Sequence, residues 1–285
     1  MVNTKLFSKG ASPAEETAES IISVHNLEKV FGNNFHALMD VNANIPEGKI
    51  TAILGQNGSG KTTFVKHLNG LYKPTTGDVR YRGESLLDKS VAQISRNIIL
   101  VFQHPEHMLF EETVEAELTF CARMQKIPFD KEKITEVLTK YNLLEDRERF
   151  PLNLSMGKKH ILTILSVLFS SADVIILDEP TLGMDSSLMD ELEILIKRLK
   201  EEGKTVIIIS HEIPMVFRAV DDAIILNNGK KIFQGTKEEM AVRDDIFDKI
   251  HISMPPVVVM SKALGFDKIC YNVDEFVEEA KALKV

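Results

Sequence analysis

The stretch that most constrains this chain is GQNGSGKT, residues 55–62, because it dictates its own backbone and the elements on either side of it. Gly55, Gly58 and Gly60 can take left-handed conformations, which turn successive backbone N–H groups inward around an anion. A helix that starts directly afterwards points its positive end at the same anion. Lys61 adds a point charge and Thr62 a hydroxyl suited to Mg²⁺, while Asn57, Ser59 and Thr63 are the remaining polar residues expected around bound phosphates. The pattern G-x-x-x-x-G-K-[ST] has meaning only between a strand and a helix. Both are present: an apolar run, ITAIL, leads into the loop, and residues 62–69 continue as a helix.

The remainder alternates in the manner of an α/β protein. Helical patterns at 158–170 and 188–202 are interleaved with short apolar runs at 174–177 and 206–209, which read as buried strands of a parallel sheet. Ahead of them, residues 22–30 and 37–45 flank a turn at 32–34 and read as an antiparallel edge. Residues 114–123 and 131–141 carry apolar positions at helical spacing, so that about 104–160 forms a mainly helical insert. The expected organisation is a tail over 1–20 without apolar periodicity, a main domain over 21–240, and a small α-rich C-terminal domain over 241–285, with short helices near 254–256 and an amphipathic helix at 273–283.

Composition narrows the partners. With 44% hydrophobic residues the chain of 285 can bury a substantial core. A net charge of -8 and a pI near 5.6 argue against nucleic acid as a partner. No run approaches the roughly 18–20 apolar residues that span a bilayer, so a membrane role is expected to be peripheral. The N-terminus has no apolar block of signal-peptide type, which implies a cytosolic protein. Cys121 and Cys270 lack metal-type spacing and are expected to be reduced thiols.

Residues 174–179 read VIILDE, an apolar strand that delivers two acids at its carboxyl end, where ligands of open α/β sheets collect. Asp178 is then a candidate Mg²⁺ ligand, and Glu179 the general base that polarises the attacking water in an in-line phosphoryl transfer. His211 emerges the same way after the apolar run at 206–209, placed to sense a γ-phosphate and orient that water.

Together these residues resemble the ABC ATPase family, whose phosphate loop, glutamine loop, signature, D-E pair, D-loop and switch histidine occur in this order. The glutamine is Gln103 in VFQHP, the signature is Leu154-Ser155-Met156-Gly157-Lys158, the D-loop is Leu182-Gly183-Met184-Asp185, and the histidine is His211. The resemblance spans about 21–240 and implies the family's nucleotide-binding domain: a parallel sheet core with an antiparallel β edge and a helical subdomain. It implies ATP and Mg²⁺ as cofactors, with Gln103 joining both the catalytic set and the metal site. It also implies an aromatic residue stacked on adenine, which alignment through Ala37-Leu38 assigns to Phe31. Family cassettes pair head to tail, so Ser155 and Gly157 would contact the γ-phosphate held by the other subunit. Met156 and Lys158 depart from the usual LSGGQ, and Ile161 stands where a basic residue is usual. Lys158 either binds phosphate or disturbs closure.

A finer resemblance lies in VFQHPEHMLFEETVEAELTF, residues 101–120, and MPPVVVMSKALG, residues 254–265. Both are similar to ATPase subunits of energy-coupling factor transporters, importers of vitamins or metal ions. This implies a transmembrane coupling subunit contacting residues 103–112, a substrate-binding membrane subunit reached indirectly, and a peripheral location on the cytoplasmic face of the membrane. The altered signature beside an intact phosphate loop favours a paralogous heterodimer, with a homodimer the other possibility. The other readings are an ATPase of another ABC transporter type and a non-transport ABC scaffold or clamp.

Overall fold

A computed structural model describes residues 20–282 of the chain. Two sheets organise it. The first is antiparallel and four-stranded, built from β1 (Ser20–Phe31), β2 (Phe35–Pro46), β4 (Thr76–Tyr81) and β5 (Glu84–Ser85), in the order β2-β1-β4-β5. Ser20, assigned to the tail by sequence, is instead the first residue of β1; the rest of that tail lies outside the described residues.

The second sheet carries the site. It contains β3 (Ile50–Leu54), β6 (Ile98–Val101), β7 (Val174–Asp178), β8 (Thr205–Ile209), β9 (Asp222–Asn227) and β10 (Lys230–Thr236), in the order β10-β9-β3-β8-β7-β6. All pairings are parallel except that of β9 with β10. Because side chains alternate across a strand, the unbroken apolar runs supply two cores at once. Ile175, Leu177, Val206 and Ile208 face one buried cluster, while Val174, Ile176, Ile207 and Ile209 face the other, beneath the antiparallel sheet. Each isoleucine or valine buried this way is worth about 1.5–3 kcal/mol, and the buried polar residues of these two strands, Asp178 and Thr205, stand at their ends.

The patterns described above do not mark β4, β5, β6, β9 or β10. For β9 and β10 the sequence carries a signal, since Asn228-Gly229, at φ +48° and +75°, forms the two-residue turn that favours hairpins.

The helices are α1 (Lys61–Leu68), α2 (Val91–Ile94), α3 (Val114–Gln125), α4 (Lys131–Lys140), α5 (Met156–Leu168), α6 (Ser186–Glu201), α7 (Ile213–Ala219), α8 (Lys237–Ala241), α9 (Asp244–Lys249), α10 (Pro256–Leu264) and α11 (Val273–Ala282). In the insert, Thr113 caps α3 by accepting the Ala116 N–H at 3.1 Å, and α3 packs on α5. Sequence sets a separate domain off at 241, yet Ile246, Phe247, Ile250, Met254 and Val258 belong to the same buried cluster as the parallel sheet. The Phe247 ring stacks on Phe217 of α7 at 6.1 Å. By packing, the segment through Val258 extends the main core, and α11 buries no residue.

Candidate nucleotide-binding and hydrolysis site

The phosphate loop is clamped between neighbouring strands. Gly55 sits at φ +145°, and a Cβ there would lie 2.2 Å from the Leu226 carbonyl oxygen of β9 and 2.6 Å from Ser59 Oγ. Gly60, the cap of α1, sits at φ +104°, with its missing Cβ 2.8 Å from the Ala37 carbonyl oxygen of β2. Only glycine fits either place. Lys61 bends back over the loop, donating to the carbonyl oxygens of Gly55 at 2.8 Å and Gln56 at 3.0 Å. Burial lowers its pKa, while Glu179 and then Asp178 pull it upward. The Ser59 hydroxyl is buried beneath the loop and has no partner within the described chain.

Both acids stand at the carboxyl end of β7. Asp178 is buried, and its Oδ1 has no hydrogen-bond partner. Burial and then Glu179 raise its pKa, with Lys66, Lys61 and the Thr62 hydroxyl opposing. An unpartnered carboxylate oxygen in such a place is costly unless a cation or proton meets it; with Thr62 beside it the donor set suits a hard, oxygen-loving ion. Glu179 has left-handed backbone (φ +48°), and its N–H donates to Ile209 of β8 at 2.9 Å. This turn throws its side chain toward His211, whose Nε2 is 2.9 Å from Glu179 Oε1 and whose backbone N–H donates to Oε2 at 3.2 Å. Burial raises the Glu179 pKa, and burial followed by Lys61 lowers that of His211. The two shifts bring the pair's proton affinities closer together, and the contact makes them a hydrogen-bonded acid–base couple.

Lys61, Glu179 and His211 face a cleft of about 650 Å³, whereas Gly55, Ser59 and Asp178 are not among its lining residues, Ser59 and Asp178 being buried. Its walls include Asn57, Gly58, Gly60, Lys61, Thr62 and Thr63 of the loop region, together with Gln103, Glu179 and His211. Phe31 is not on the cleft. Its ring meets Tyr72 edge-on at 5.6 Å, beneath Lys29 Nζ at 5.2 Å. The aromatic on the wall is Phe35, 61% exposed, which pairs with Phe31 across the β1–β2 hairpin. Both residues flank the same turn, and only the course of the two strands decides which one turns inward.

Ser155 and Gly157 also lie outside this cleft. Ser155 caps α5, its hydroxyl accepting the Lys158 N–H at 3.4 Å. A Cβ on Gly157 would fall 2.3 Å from Leu188 Cδ1, and the Met156 side chain packs over Gly183 of the D-loop, so the signature rests on its own chain. Lys158 turns away from the loop: its ammonium donates to the Asn142 carbonyl at 2.8 Å and to Asp146 Oδ2 at 2.6 Å.

Comparison with known proteins agrees with this geometry. Residues 38–182, just over half of the chain, match the family model described as ABC transporter. The chain is 32% identical over 259 residues to the energy-coupling factor transporter ATP-binding protein EcfA2 of Staphylococcus saprophyticus, covering 86% of this chain and 90% of that protein. It is 34% identical to a putative ABC transporter ATP-binding protein of Caldanaerobacter subterraneus, of which it spans about half, 46% of the length. Among solved structures, cbiO1 of Clostridium perfringens, part of the ABC transporter complex cbiONQ, superposes with a TM-score of 0.69 at 28% identity over 85% of this chain and 99% of that one. No helix among the described residues is long and apolar enough to cross a membrane. The phosphate loop held between β9 and β2, the two acids at the end of β7 and the histidine just after β8 sit on a fold shared with these proteins, and this chain belongs to the ABC transporter family, as an ATP-binding cassette that hydrolyses ATP.

Proposed function

We propose that this chain is the ATPase subunit that energises an energy-coupling-factor-type importer of a vitamin or metal ion, acting at the cytoplasmic face of the membrane. The observation that carries the reading is the convergence of Lys61, Glu179, His211 and Gln103 on one cleft, with Glu179 held by His211 at 2.9 Å. The name of the EcfA2 relative supports the transporter class.

The chain's own groups do the following. Backbone N–H groups of residues 55–62 and the Lys61 ammonium bind the phosphates, for which Lys61 must release the two carbonyls it now caps. Phe35 stacks on the base in this reading, supported by its position on the cleft wall, which Phe31 does not line. Glu179 accepts the proton of the attacking water; His211 donates to the carboxylate, fixing its rotamer, and reports on the γ-phosphate position. Asp178, Thr62 and Gln103 would hold Mg²⁺, which when bound neutralises charge on the phosphates.

One chain supplies half of each composite site. Ser155 and Gly157 at the start of α5 would close on the phosphate loop of a second cassette, a paralogue in the favoured arrangement, because Met156 and Lys158 alter only the signature half. A transmembrane coupling subunit would dock near residues 103–112, where Phe110 is 58% exposed and packs edge-on against Phe120 at 4.5 Å. The substrate-binding membrane subunit is reached only through that contact. The test is to isolate the tagged chain from detergent-solubilised membranes. Co-purification with a second cassette and a membrane subunit is expected, with Mg²⁺-dependent ATPase that Lys61→Ala abolishes. A chain that is free of membranes and hydrolyses ATP alone at the rate of any assembled complex would overturn the proposal.

A further inference from the structure

The segment after β6 carries Gln103, and its hydrogen bonds are almost all internal. The Phe102 N–H donates to Met108 Sδ at 3.3 Å, His107 N–H to the His104 carbonyl at 3.1 Å, and Met108 N–H to the Pro105 carbonyl at 2.9 Å. These make residues 102–108 a small stiff unit. One polar contact among the described residues leaves it: Glu106 Oε1 meets Lys159 Nζ at 2.9 Å. Lys159 stands in the first turn of α5, its backbone N–H donating to the Ser155 carbonyl at 2.9 Å. Its side chain is only 10% exposed, whereas that of Glu106 is 45% exposed. Next to it in sequence His160 is fully buried with both ring nitrogens unpartnered, and burial, then His104, pushes its pKa down to about 4, so it adds no second cation beside Lys159. Among the described residues Glu106 is the one anion paired with this nearly buried ammonium.

We infer that Glu106 and Lys159 form a positioning pair that ties the Gln103 segment to the first turn of α5, so that movement of one carries Ser155 and Gly157 with it. This rests on the reading that residues 103–112 receive a membrane subunit. A load on residues 102–108 cannot be absorbed inside that unit, and the pair is its one polar link to the helix whose N-terminus would close on the other cassette. Lys158, one residue earlier, is committed to Asp146 and cannot substitute.

The experiment uses the assembled complex in membranes and compares Glu106→Gln with Glu106→Asp, reading kcat and KM for ATP with and without transport substrate. For Glu106→Gln, substrate-stimulated kcat should fall about tenfold, with KM within twofold; because the Lys159 ammonium loses its partner the melting temperature falls as well, so both proteins are assayed at a temperature where each is folded. Glu106→Asp keeps the charge and should recover most of the stimulation, which a merely structural role would not require. If wild type is stimulated and Glu106→Gln is stimulated to within twofold of it, the positioning pair is wrong while the transporter reading stands. If wild-type ATPase shows no response to the membrane subunit, the underlying reading fails and the inference falls with it.

Discussion

Lys158→Gln restores the neutral amide usual at the fifth signature position, and the structure says what it should do. The ammonium donates to Asn142 and Asp146, is 34% exposed, and shares Asp146 with Arg149 at 3.0 Å. A partly exposed pair of this kind contributes about 0.5–1 kcal/mol. For a chain of this size that is a fall of about 1–4 °C in melting temperature. If Lys158 instead bound phosphate, losing a charged hydrogen bond of about 1.5–3 kcal/mol would lower kcat/KM roughly ten- to hundredfold. The two outcomes are well separated. Because the signature acts on the partner's nucleotide, the assay is steady-state phosphate release by the assembled complex over a range of ATP concentrations, alongside scanning calorimetry. The expected result is kcat/KM within about twofold of wild type and a modest loss of melting temperature. The stability difference should also depend on pH in one direction. The Lys158 ammonium holds the Asp146 carboxyl below the usual range, with Arg149 assisting. A depressed carboxylate stabilises the fold above its unfolded value of about 3.9, so the gap between wild type and Lys158→Gln should persist at neutral pH and close as pH falls below that value. A loss of tenfold or more in kcat/KM would refute the claim that Lys158 is sequestered.

Glu179→Gln should keep ATP affinity and lose about 10²–10⁴ in kcat, measured by nucleotide binding and phosphate release; retained turnover would remove Glu179 as the base. Since burial raises the Glu179 pKa, kcat should decline on acidification before the ordinary glutamate value of about 4.3 is reached, and an acid limb at or below that value would contradict the assignment. Gly58→Ala has open space and should cost only the left-handed penalty of about 1–2 kcal/mol. Gly55→Ala drives a Cβ to 2.2 Å from a β9 carbonyl and should be far more destabilising, a ranking that thermal melts of the two variants will check.

Much of the site was legible because its chemistry is local in sequence. Gly55 through Thr62 specify a phosphate loop by backbone conformation and residue type alone, and the apolar run before Asp178 and Glu179 can only be a buried strand ending in two acids. Order along the chain then identified Gln103 and His211, which the fold brings to the same cleft. Phe31 and Phe35 could not be separated this way, since they face each other across one hairpin and the turn between them is short. The fate of Lys158 was equally hidden, because Asp146, twelve residues earlier, reaches it only once α5 packs beside the end of the helical insert. Nor could spacing show that residues 241–258 share the main core, since an amphipathic helix reads the same whether it covers its own domain or a neighbouring sheet. What sequence determined by itself was the nucleotide chemistry and the α/β frame, both set by residue type and near-neighbour order. What only tertiary structure decided was which aromatic lines the cleft, where a stray cation points, and how the Gln103 segment is tied to α5. Each of these depends on side chains far apart in the chain meeting after the sheets and helices have packed.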